Sequence, residues 1–152
     1  MEITSNIPFV VGNILAKFRE LDNPETVSRA AAVAVLPELH YRIHTEGKKT
    51  NGSAIGTYSN SYLRLRQRKP YNRTSDPDVI ASLTRQLEDS YVLKATENGY
   101  TIDNIGNTIR GDSKTKTERL EEQYGEIWAL TEREKEITQL VAQNTAIALM
   151  NA

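Results

Sequence analysis

The chain has 152 residues, 38% of them apolar, and a net charge of −1 with a pI of about 6.2. That length suits a single domain, which at this size buries roughly 70% of its unfolded surface, and the near-neutral balance excludes a global attraction to nucleic acid or anionic membrane. The absence of cysteine excludes a disulfide framework, a thiolate zinc site and a cysteine nucleophile.

The opening "MEITSNIPFVVGNILAKF" carries an acid at position 2 and neither a basic leader nor a long apolar run, so no secretion signal is expected. No segment approaches the roughly 20 apolar residues that span a bilayer, and a soluble protein assembled in the cytoplasm, without membrane partners, is the expectation. Phe9, Val10, Ile14, Leu15 and Phe18 recur at near-helical spacing and predict a short helix over 8–20, with Asn6 as its cap. A second, longer helix begins at Asn23-Pro24, where the missing proline N–H is harmless and Glu25 suits the positive helix end. Its Ala/Val-rich interior predicts packing on both faces, Pro37 predicts a kink or a break near Leu36, and Gly47 is placed for a left-handed cap.

Residues 47–78 read as one extended loop, turn-rich and too long to be a plain connection. Two short β-like runs come next, Tyr91 to Thr96 and Tyr100 to Ile105, joined through Asn98-Gly99, a strong hairpin signal. Ser113 is expected to open a charged helix that Gly125 closes, "EIWAL" is expected to be a short strand or extended piece, and Thr131 with Glu134 has capping-box spacing. The last helix has Ile137, Leu140, Val141, Ile147 and Ala148 as its apolar stripe, interrupted by Asn144. The class is therefore α+β: a small antiparallel sheet with a β-hairpin, flanked by a long N-terminal and a C-terminal helix, with a long loop.

Catalytic chemistry has no visible carrier in this pattern. His40 and His44 have the i,i+4 spacing that can grip a metal from one helix face, but no glutamate follows the first histidine and no third ligand is identifiable. No serine sits in a nucleophile-elbow pattern, and the glycines of "NGSAIG" lack phosphate-loop spacing. Neither an enzyme nor a bound cofactor is expected.

The 47–73 stretch is more informative, with seven basic residues and no acid. Arg64, Arg66, Arg68, Lys69 and Arg73 interleave with Tyr58, Tyr62 and Tyr71, a mixture that suits phosphate contact with base stacking, protein docking, or a merely solvated loop. Between Thr117 and Glu136 stand seven acids, among them Glu118, Glu121 and Glu122, against three bases. Opposite patches on one subunit suit a head-to-tail contact between copies, with pairing inside one chain as the competing arrangement.

Three pieces, "RIHTEGKKTNGSAIGTYSNSY", "VIASLTRQLEDSYVL" and "ERLEEQYGEIWALTEREKE", resemble in order and spacing the tail-completion and head-tail joining proteins of tailed bacteriophages. The matching positions are Arg42-Ile43, Gly52, Ile55-Gly56, Tyr58-Ser59, Leu87, Ser90, Tyr124-Gly125, Ile127, Ala129-Leu130-Thr131 and Glu134. The chain departs from the pattern where the family has a Thr-Gly step, reading Arg85-Gln86 instead. The resemblance covers about residues 40–140. It implies a non-enzymatic virion protein of the neck or tail, forming a homo-oligomeric ring that contacts portal, adaptor or tail proteins, with genomic DNA passing nearby. It also implies that the 47–76 segment reaches neighbouring subunits, mobile until they order it. The other readings are a nucleic-acid-binding module that uses the basic residues 64–73 and a small cytoplasmic interaction protein unrelated to virions.

Overall fold

The computed structural model describes residues 24–73, 76–82, 86–97, 99–104 and 115–151. The expected helix at 8–20, Ser113, Asn98 and Ile105 lie outside the described residues. Four helices and one hairpin make up the described part, an α+β architecture as expected: α1 (Pro24–His44), α2 (Asn60–Gln67), β1 (Tyr91–Thr96), β2 (Gly99–Asn104), α3 (Lys116–Tyr124) and α4 (Glu132–Asn151).

α1 begins at its proline and runs through Pro37 as one helix, so of the expected kink or break near Leu36 the break does not occur. The carbonyl deprived of a partner belongs to Val33, which is 52% exposed, so water can satisfy it. The inward side of α1 presents Ala31, Ala32, Val35, Leu39 and Ile43, all buried. Its end is tied by Gly47, whose φ of +62° lets Lys48 N–H reach the Arg42 carbonyl at 3.0 Å. A Cβ at Gly47 would lie 2.5 Å from the Val79 carbonyl oxygen, so the position needs glycine for space as well as for backbone angle.

The hairpin pairs Tyr91 with Asn104 through Thr96 with Gly99. Gly99 therefore opens β2 as a paired residue and is not half of the turn that the Asn-Gly signal suggests. Tyr100 Oη donates to Glu25 Oε1 at 3.0 Å and fastens the hairpin to the start of α1. This bond holds the Tyr100 hydroxyl above its usual pKa.

α3 starts at a capping box in which Thr115 and Glu118 satisfy each other's backbone N–H groups, two residues later than expected, and Gly125 closes it as expected. "EIWAL" is not a strand. Its backbone groups find side chains in place of a ladder: Ile127 and Trp128 N–H both donate to Glu121 Oε1, at 2.9 and 3.0 Å, and Arg42 takes the Ile127 and Ala129 carbonyls. The Thr131–Glu134 capping box opens α4 as its spacing predicts. α4 packs along α1. Of the expected stripe, Ile137 and Val141 are half-buried, whereas Leu140, Ile147 and Ala148 are exposed. The face turned inward is built from smaller residues, including Thr138, Ala142, Thr145 and Ala146.

The core gathers Leu39, Ile43, Ile55, Val79, Ala81 and Ile127, with Tyr58, Tyr91, Leu120, Tyr124 and Trp128 packed around them. It joins the C-terminal half of α1 to both sides of the segment that reads as an extended loop.

Candidate interaction surface

The 47–78 segment is not one open loop. Residues 47–55 close on themselves, with Lys49 N–H donating to the Ser53 carbonyl at 2.8 Å and Ile55 N–H to the Gly47 carbonyl at 2.7 Å. Ile55 then plugs the core at 3% exposure. Gly56 passes the Tyr124 ring so closely that a Cβ would sit 2.9 Å from it. Residues 57 and 78 form an antiparallel bridge that pins together the two ends of the chain segment between them. Within that segment Ser59 caps α2, accepting from Tyr62 N–H. The expectation of mobility for 47–76 assumes that the segment buries too little apolar surface to order itself, and Ile55 in the core with the partly covered Tyr58 weighs against that assumption.

The basic residues divide by burial. Arg66 is 2% exposed: its guanidinium lies over the Tyr58 ring with 4.3 Å to the centroid, and it donates to Tyr58 Oη at 3.2 Å and to the Ser82 carbonyl. Its Nε is buried and has no hydrogen-bond partner among the described residues. Arg73 is half-buried and donates to Ser82 Oγ at 3.2 Å. Arg64, Arg68 and Lys69 are exposed, and Leu65 stands among them at 43% exposure. The expected five-residue basic surface is thus three exposed cations around an apolar side chain, with Arg66 removed to the interior. Tyr58 and Tyr62 pack with their rings tilted, 5.1 Å between centroids, and are partly covered. Tyr58 also accepts from Ile80 N–H at 3.2 Å, and burial raises its hydroxyl pKa.

The acidic residues divide in the same way. Glu118 serves the α3 cap and Glu121 holds the 127–128 backbone, while Glu122 is exposed on α3. Glu134 is 3% exposed and accepts from Arg42 Nε at 2.7 Å. Arg42 spends its other donors on the carbonyls of Lys48 (3.1 Å), Ile127 (2.9 Å) and Ala129 (3.0 Å). This clip joins the end of α1, the 48 turn, the 127–129 segment and the start of α4. In the sequence Arg42 stands out only as a match to a family pattern and Glu134 as such a match and as a capping-box residue, and nothing there pairs the two.

His44 is committed to structure: Nδ1 donates to the Ile80 carbonyl at 3.3 Å, and Nε2 accepts from Tyr91 Oη at 2.9 Å. Burial, with the charge of His40 beside it, lowers its pKa to about 4, partly opposed by Glu88. Burial also raises the Tyr91 hydroxyl. Both ring nitrogens being used, His44 offers no lone pair to a metal in this arrangement.

Two concavities flank this framework. One, of about 1030 Å³, runs between α1, β2 and α4 and is walled by Ala31, Val35, Ile102, Trp128, Leu130 and Ala142. The other, of about 810 Å³, lies between Tyr58, Tyr62, Leu87 and the α3 side chains Lys116, Arg119 and Tyr124. No described helix is long and apolar enough to cross a membrane. No protein-family model matches the chain, and neither does any curated protein or solved structure.

Proposed function

We propose that this chain is a structural component of a tailed-phage virion, part of the head-tail connector or tail-completion ring, acting by docking on further copies of itself and on portal, adaptor or tail proteins. The role is non-enzymatic. The observation that supports it most is the convergence of the three separated sequence pieces that resemble the tail-completion proteins. Arg42, Ile43, Ile55, Gly56 and Tyr58 of the first piece and Tyr124, Ile127 and Glu134 of the third meet in one packed unit, 92 residues of chain separating its ion pair; the second piece enters it through Val79, Ala81 and Tyr91 and not through its matching positions Leu87 and Ser90. That unit holds α2 outward with Arg64, Leu65, Arg68 and Lys69 exposed, a combination of cations and an apolar side chain that suits protein docking.

Electron microscopy of the purified protein, together with labelling of tailed particles by an antibody against the chain, tests the reading. Rings in solution and label at the neck or tail are expected. Unlabelled particles, or a monomer that binds DNA or RNA with affinity collapsing between low and high salt, would replace it with the nucleic-acid reading.

A further inference from the structure

The larger concavity, of about 1030 Å³, is a groove whose lining is mostly apolar. Ala31, Val35 and Leu39 supply its α1 wall, Ile102 its β2 wall and Ala142 its α4 wall. Asp103 is the one charged residue among the described lining, and Lys94 on the neighbouring strand pairs with its carboxylate. A groove of this size without a free charge suits an amphipathic helix laid in by its apolar face.

The chain carries such a face immediately before α1. In residues 8–20, Val10, Val11, Ile14, Leu15 and Phe18 stand at i, i+1, i+4, i+5 and i+8, one stripe of the helix that their spacing predicts, while Phe9, Ala16, Arg19 and Glu20 fall on its other side. Residues 21–23 join that segment to Pro24, the length of a tight connection between antiparallel helices. The groove begins within a turn of the junction, since Val27 and Ser28 are in its lining. From Val27 to Leu39 it follows α1 for about 18 Å, against about 20 Å for a helix over 8–20. The outer side of α1, where Val33 and Tyr41 are exposed, is a poorer seat. Covering it would strip water from the Val33 carbonyl, which Pro37 leaves without an N–H partner.

We propose that residues 8–20 seat in this groove of their own chain, antiparallel to α1, with the Val10–Ile14–Phe18 stripe turned toward Val35, Ile102 and Ala142. The short tether favours the chain's own groove over a neighbour's, because it holds the segment beside the groove at high effective concentration. The groove is then closed to ligands and partners while the segment is in place. This seat does not depend on the virion role.

Photocross-linking on the full chain tests it, with p-benzoylphenylalanine in place of Phe18 in one protein and of Phe9 in another, and mass spectrometry to locate the links. From position 18 the links should run to the groove wall on α1, β2 or α4 and leave the product at monomer mass. From position 9 their yield on that wall should be at least tenfold lower. Links from position 18 to any other surface, links at dimer mass, or no link at all would overturn the seat. Melting gives an independent readout: Ile14→Asp/Phe18→Asp should lower the midpoint by at least about 5 °C, whereas Phe9→Asp should leave it within about 2 °C. A double variant that melts with the wild type would overturn the seat as well.

Discussion

Arg42 on α1 and Glu134 on α4 form a buried ion pair at 2.7 Å, and the same guanidinium holds three backbone carbonyls. A buried charge left unpaired costs about 3 to 5 kcal/mol. Glu134→Ala strands the guanidinium, though its carbonyl partners remain. Arg42→Ala strands a carboxylate and three carbonyls together, so it should be the more damaging of the two. Urea denaturation should show both losses as lowered midpoints. Arg42→Met/Glu134→Leu should cost less than the sum of the single changes, because no buried charge survives in it.

Gly47 and Gly52 separate two costs of adding a methyl group. Both have positive φ, +62° and +82°, but nothing lies within 4 Å of a Cβ at Gly52, whereas at Gly47 it meets the Val79 carbonyl. Gly52→Ala should cost about 1 kcal/mol from the backbone angle alone. Gly47→Ala should cost a further ~2 kcal/mol, because backbone must move to admit the methyl group. Equal melting temperatures for the two variants would refute the close approach.

His44 makes stability depend on pH in a definite direction. Its folded pKa of about 4 lies below the ordinary 6.5, so the unfolded chain takes up the proton first. Stability is unaffected by this group above pH 6.5 and declines as pH falls toward 4, by about 3 kcal/mol across the window. His44→Gln has no such proton to take up. The difference in unfolding free energy between the two proteins should therefore shrink steadily from pH 7 to pH 4, and a difference independent of pH would exclude a neutral buried His44.

Features with local causes are legible in the sequence. The Thr131–Glu134 cap, the start of α1 at Pro24 and the stop at Gly125 depend on residues a few positions apart, and each stands where its spacing places it. The hairpin is legible too, but its register is set by pairing along both strands, which moves Gly99 out of the turn. α2 escapes detection because its one buried side chain is Arg66, and an apolar pattern counts arginine as outward-facing. The α4 stripe has a helical period but misjudges the face, since small residues on the inner side allow close packing along α1 while Leu140 and Ile147 remain outside. The Arg42 clip depends on partners up to 92 positions away, for which local sequence holds no cue.

The division of the basic residues leads to the last prediction. If Arg64, Arg68 and Lys69 serve docking and Arg66 serves the fold, reversing their charges has opposite consequences. Arg64→Glu/Arg68→Glu/Lys69→Glu alters exposed side chains only, so the protein should keep its circular dichroism spectrum and melt within a few degrees of the wild type. Its incorporation into particles should fall at least tenfold. Arg66→Glu places a carboxylate against the Ser82 carbonyl and the Tyr58 ring in a site with 2% exposure, losing bonds to a charged donor that are worth about 1.5 to 3 kcal/mol each. That single change should destabilise the 57–82 segment and lower the melting temperature sharply, whether or not assembly is measured. An Arg66→Glu protein as stable as the wild type would mean that the guanidinium is not held inside. A triple variant that folds and still assembles normally would mean that the exposed cations are only a solvated surface.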